Sequence, residues 1–165
     1  MVDNAQVTGM LEHCADLPIE TVPAGGTLIE EGSAPGRMLV LVSGSVAIER
    51  EAVPFARIDH QGAVFGEMSW VLGRPATATV RATTPVEVLV MADPESFLAQ
   101  HPGATLEVLR MTAARLDGLT QYLVDVKRQF AGLDGHLGMV DAILDTLVHH
   151  QTAPARPGSV RDPEC

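Results

Sequence analysis

One lysine, Lys127, is all that this chain of 165 residues carries, within a net charge of −10. Binding a phosphate backbone needs clustered lysine and arginine. The arginines here are scattered, so nucleic acid is not an expected partner. Cysteine is scarce as well. Cys14 and Cys165 lie near opposite ends and neither sits in a paired-cysteine motif, which argues against a disulfide framework. The histidines, His13, His60, His101, His136, His149 and His150, have no metal-ligand spacing. No apolar run reaches the roughly 18 residues that cross a bilayer, and the start of the chain, with Asp3, lacks the basic and apolar regions of a secretory signal. A cytoplasmic protein with no membrane segment is expected. The Gly-x-Ser-x-Gly turn and the phosphate-loop lysine motif are both missing. No second carboxylate or histidine stands at a telling spacing from Glu67, so no catalytic residue and no metal site is assigned.

What is present is a globular composition, 46% hydrophobic and 19% charged, long enough for one domain with a real core. Val7, Met10, Leu11 and Cys14 have helical spacing, and an N-terminal helix is expected within 1–16, ended by Pro18. From Ile19 to Met91 short β-rich runs are cut by glycine and proline, the pattern of a sandwich or barrel. The runs are 19–22, 27–30, 38–42, 46–49, 54–58, 77–82 and 87–91. Met38-Leu39-Val40-Leu41-Val42 is continuously apolar and reads as a central strand covered on both sides. Asp93-Pro94-Glu95 opens a short helix over 93–100, with an acceptor at the cap and proline at the first position. His101-Pro102-Gly103 breaks it, and a long helix follows over 104–131. Its apolar residues form two stripes, one through Leu106, Leu109 and Leu116 and one through Val108, Leu119 and Tyr122. One stripe suffices for packing on the chain's own barrel, so two predict a second partner. After Gly132-Leu133-Asp134-Gly135 a last amphipathic helix is expected within 132–150, and a disordered tail over 151–165.

One stretch organises the rest: Val64-Phe65-Gly66-Glu67-Met68-Ser69-Trp70, then Gly73-Arg74-Pro75-Ala76-Thr77-Ala78-Thr79-Val80. It reads as a strand end, a tight turn on Gly66, a helical turn, a loop and a new strand opened by Thr77. Backbone N–H groups at such a turn lack intrahelical partners and can hold an anion, while Glu67 can accept from a hydroxyl beside it. That combination suits a ribose phosphate. The order Phe65-Gly66-Glu67-Met68, then Pro75, then Ala78-Thr79-Val80-Arg81-Ala82 resembles the phosphate-binding cassette of the cyclic-nucleotide-binding domain family. The resemblance runs from about Leu17 to about Phe130.

The resemblance implies a mainly β fold, a jelly roll or double-stranded β-helix of cupin-like barrel form over 17–92, with an N-terminal helix and the long C-terminal helix. It implies a sensor domain whose ligand is cyclic AMP or cyclic GMP and which needs no cofactor. The phosphate would meet the main chain of Phe65, Gly66, Glu67, Met68 and Ser69, Glu67 would accept from the 2′-hydroxyl, and Thr77 could donate. Leu119 and Thr120 would close over the base. The family places an arginine directly after the cassette proline, and here that position is Ala76. Three readings follow: Arg74 swings in to replace the charge; the pocket holds a different ligand; or the domain binds no nucleotide and serves as a dimerisation or docking module. The resemblance also implies a homodimer paired through helix 104–131. No helix-turn-helix segment with a basic recognition helix follows in this sequence, so output through a separate protein effector is expected.

Overall fold

The structure, a computed structural model, describes residues 4–34, 36–129, 143 and 145–147. The tail at 151–165 lies outside them, as do residues 130–131 and nearly all of the helix expected at 132–150. The chain divides into two compact units, 1–111 and 112–165.

The first unit begins with α1 (Asn4–His13) and continues through β1 (Ile19–Val22), β2 (Thr27–Ile29), β3 (Met38–Ser43), β4 (Val46–Arg50), β5 (Val53–Ile58) and β6 (Val64–Phe65). After β6 come α2 (Glu67–Leu72), β7 (Thr79–Ala82), β8 (Val86–Met91), α3 (Pro94–Gln100) and the start of α4 (Pro102–Gln129). The strands form two four-stranded antiparallel sheets, in the orders β1-β8-β3-β6 and β2-β7-β4-β5. Sequence neighbours are mostly not sheet neighbours, because the chain crosses between sheets as a jelly roll does. The fold is the expected one.

Alternation along β3 shows why its run is apolar throughout. Leu39 and Leu41 point between the sheets, joining Val22, Leu28, Val46, Phe65, Val80 and Val88. Met38 and Val40 point the other way, into a second core with Met10 of α1, Cys14 just after it, Leu98 of α3, and Ala104 and Val108 of α4. A strand buried on both faces has no polar position to spare. The short helix is capped as its sequence indicates: the Asp93 carboxylate accepts from the Ser96 N–H at 3.1 Å, with Pro94 at the first position.

Two starts differ from expectation by two residues. The long helix starts at Pro102, two residues early, because proline fits a first helical turn, where its missing N–H is not needed. The Thr105 N–H already bonds the His101 carbonyl at 3.1 Å. Thr77 does not open a strand, since pairing with β4 begins only at Thr79. Just before it, the Gly32 N–H donates to the Ala76 carbonyl at 2.8 Å and the Ala76 N–H donates to the Ser33 carbonyl at 2.9 Å. Those bonds tie this part of the chain to the loop after β2 rather than to a sheet.

At the outer edge of the second sheet, β5 carries Pro54 between exposed Val53 and Phe55, and the β4–β5 ladder shifts register at Ile48/Glu49. Proline cannot donate to a ladder and is confined to such edges.

Burial pushes the Cys14 thiol up to about 11. Below the ordinary thiol range both folded and unfolded chains keep the proton. As pH climbs from about 9 the unfolded chain loses it first, so stability falls until the folded thiol also ionises. Wild type is therefore expected to lose about 2 kcal/mol more stability between pH 8 and pH 11 than Cys14→Ala does. Urea titrations at the two pH values measure this difference, and parallel losses in both proteins would refute it.

In the second unit, α4 runs on to Gln129 with Leu116, Leu119 and Tyr122 exposed. The Thr120 hydroxyl donates back to the Leu116 carbonyl at 2.9 Å. Among the described residues, no helix is long and apolar enough to cross a membrane.

Candidate functional site

Between β6 and β7 the chain passes close to a neighbouring segment. Gly66 caps α2 with φ 88° and ψ −7°, in the left-handed region. A Cβ there would lie 2.7 Å from the Arg37 carbonyl oxygen and 3.3 Å from Ile29 Cδ1. Pairing of Leu39 with Phe65 and Val40 with Val64 brings β6 against β3 and sets Gly66 beside the Arg37–Met38 main chain. Only glycine meets both demands, of φ and of space.

The loop after α2 is clasped by main-chain bonds. Gly73, at φ 61°, caps the helix, and its N–H bonds the Ser69 and Trp70 carbonyls. The Arg74 N–H donates to the Ser69 carbonyl at 3.1 Å, and the Ser69 hydroxyl donates to the Arg74 carbonyl at 2.8 Å. Both polar groups of the Arg74 backbone are thus held by one residue, and its side chain is exposed. The Ala76 bonds to Gly32 and Ser33 then draw the loop onto the turn after β2.

These constraints enclose a cavity of about 370 Å³. One wall is Gly66, Ser69 and Ala76 from the expected cassette; the other is Thr27–Glu30 with Ser33, Ala34, Gly36 and Arg37. The volume lies within the range of small-molecule sites, and the lining mixes apolar side chains with a few polar ones, as such sites do. Of the residues singled out from sequence, Gly66, Ser69 and Ala76 come together on this wall. Phe65 is buried in the core between the sheets, and Glu67 is buried at the first position of α2. Met68 is 47% exposed. Thr77 is half-buried beyond Ala76, and neither it nor Arg74 lines the cavity. Leu119 and Thr120 belong to the second unit. No group of histidine, cysteine or carboxylate residues suited to a metal occurs among the described residues.

Sequence reading passed over Arg37. Its Nη1 donates to Glu20 Oε2 at 2.6 Å, and both side chains are about 40% exposed. The local signal goes only part of the way: Gly36-Arg37 stands immediately before the buried run of β3, and the inward face is fixed only once the sheets are paired. Counting back two from Leu39 puts Arg37 on the face that looks between the sheets, and counting back two from Val22 puts Glu20 there as well.

Comparison with known proteins agrees with this geometry. Residues 19–99 match the cyclic nucleotide-binding domain family. A cyclic nucleotide-gated potassium channel from Mesorhizobium japonicum is 35% identical over 111 residues, covering 66% of this chain and 30% of the channel. The chain thus spans under a third of the length of the curated relatives it matches. Among solved structures, the N-terminal domain of a transcriptional regulator from Streptomyces coelicolor is 28% identical with a TM-score of 0.51, covering 72% of this chain and 86% of that one. The Thermus thermophilus catabolite activator protein superposes with a TM-score of 0.60 at 20% identity, covering 76% of this chain and 61% of that one. The match over residues 19–99, together with the jelly roll, its two sheets and its cassette, identifies this part of the chain as a cyclic nucleotide-binding domain.

Proposed function

We propose that the chain is a cytoplasmic regulatory module that takes cyclic AMP or cyclic GMP into the cavity beside Gly66. The single observation behind this reading is the cavity of about 370 Å³ walled by Gly66, Ser69 and Ala76 at the family's cassette. The ligand's phosphate would lie against the Gly66–Ser69 main chain, and Glu67 would accept from the ribose hydroxyl. Occupancy would be passed along α4 to a second copy and to a separate effector protein. No step in this scheme makes or breaks a covalent bond. The Mesorhizobium relative is a potassium channel gated by cyclic nucleotide, which supports a cyclic nucleotide as the ligand here.

Thermal stability with and without each nucleotide tests the reading. Ligand at about 100 times its dissociation constant should add roughly 2.7 kcal/mol. Arg74→Ala should bind as wild type does, because that residue is exposed and does not line the cavity.

A second reading is a dimerisation or docking module with no nucleotide ligand. It draws on the alanine at position 76 and on the exposed Leu109, Leu116, Leu119 and Tyr122 of α4, where Leu109 and Tyr122 are more than 60% exposed. Absence of any thermal shift with either nucleotide, together with a concentration-dependent dimer in sedimentation, would select it.

A further inference from the structure

A phosphate in a partly enclosed cavity needs a positive partner, and Ala76 supplies none. Arg37 is the one cationic side chain among the residues that line this cavity. Its carbonyl oxygen abuts Gly66, so the residue belongs to the same corner as the cassette. Its guanidinium is engaged by Glu20 through a short contact at 2.6 Å and a longer one, Nη2 to Oε1, at 3.5 Å. The pair is well exposed, so it contributes little to the fold and can be exchanged at small cost. Guanidinium matches phosphate as it matches carboxylate, with two parallel N–H donors.

We infer that Arg37 is the phosphate-recognising cation of this site and that Glu20 competes with the ligand for it. This rests on the reading that the cavity takes a phosphate-bearing nucleotide. Recognition then comes from the residue just before β3, about 40 residues of sequence from Ala76. Glu20 acts on affinity through Arg37; it is a tuning residue, not a contact.

Calorimetric titration of the full chain with cyclic AMP, cyclic GMP and inorganic phosphate tests this in wild type, Arg37→Ala, Glu20→Gln and the double variant. Melting curves without ligand confirm that each variant folds. Arg37→Ala should bind about tenfold or more weakly. Glu20→Gln should bind about two- to fivefold more tightly, and that gain should vanish in the double variant. The gain is what a merely structural ion pair would not produce, since breaking such a pair by either partner changes binding in the same direction. Unchanged binding by Arg37→Ala would overturn the inference and leave the nucleotide reading standing. Unchanged or weaker binding by Glu20→Gln would overturn the competition. A response to phosphate that Arg37→Ala abolishes, with none to either nucleotide, would support Arg37 and overturn the nucleotide reading. No response to any probe in wild type or Glu20→Gln would overturn both.

Discussion

Gly66→Ala is expected to lower stability by about 2 to 5 kcal/mol and the melting temperature by about 10 °C. Two costs combine. At φ 88° an added Cβ meets its own backbone, which costs about 1 to 2 kcal/mol. It also meets the Arg37 carbonyl at 2.7 Å, a contact that real Cβ atoms do not make. The neighbour is main chain held in β3–β6 pairing, so β6 or the start of β3 must shift, and overpacking of this kind costs about 1 to 3 kcal/mol more. Gly73→Ala provides the comparison. Gly73 is also left-handed, at φ 61°, but nothing lies within 4 Å of its missing Cβ, so only the conformational term, about 1 kcal/mol, applies. Paired melting curves separate the two terms. Equal losses in the two variants would show that the close approach at Gly66 is no constraint.

Ala76→Arg is expected to tighten binding of the preferred cyclic nucleotide by roughly 30- to 1000-fold. The residue lines the cavity at 8% exposure, and its backbone is already fixed on both sides by Gly32 and Ser33. A guanidinium introduced there begins from an anchored main chain and points into the space available. A charge-assisted, two-pronged contact in a partly enclosed site is worth about 2 to 4 kcal/mol. In this variant Arg37→Ala should matter much less, because the phosphate has a second partner. Calorimetry on the single and double variants reads both effects. No gain from Ala76→Arg would mean that the phosphate of any bound nucleotide lies elsewhere in the cavity.

Much of the architecture is legible because its signals are local. Glycine and proline cut the β region into short runs, and the two-sided burial of β3 follows from Met38 to Val42 having no polar member. The Asp93-Pro94 cap is a local pattern that the structure reproduces, with the Asp93 carboxylate accepting from the Ser96 N–H. The cassette is also contiguous, so its wall of the cavity, Gly66, Ser69 and Ala76, could be picked out together. The opposite wall was not legible, because it depends on pairing between distant segments. The Gly32-Ser33-Ala34 stretch reads as a generic turn until Ala76 is bonded to it, more than 40 residues later. Arg37 reads as one scattered arginine until β3 and β1 take their places on either side of β8 and bring Glu20 within reach. Arg74 looked the better candidate because it is near Ala76 in sequence. Its backbone clasp to Ser69, a matter of loop geometry, turns it outward.

The edge strand β5 has a bearing on how the molecule behaves when concentrated. Growth of fibrils by lateral strand addition needs an unbroken row of donors and acceptors along a straight rim. Pro54 interrupts that row, and the register shift at Ile48/Glu49 bends the rim beside it. Val53 and Phe55 can therefore face water there without seeding cross-β aggregates, a safeguard against precipitation that no surface charge on this side has to provide.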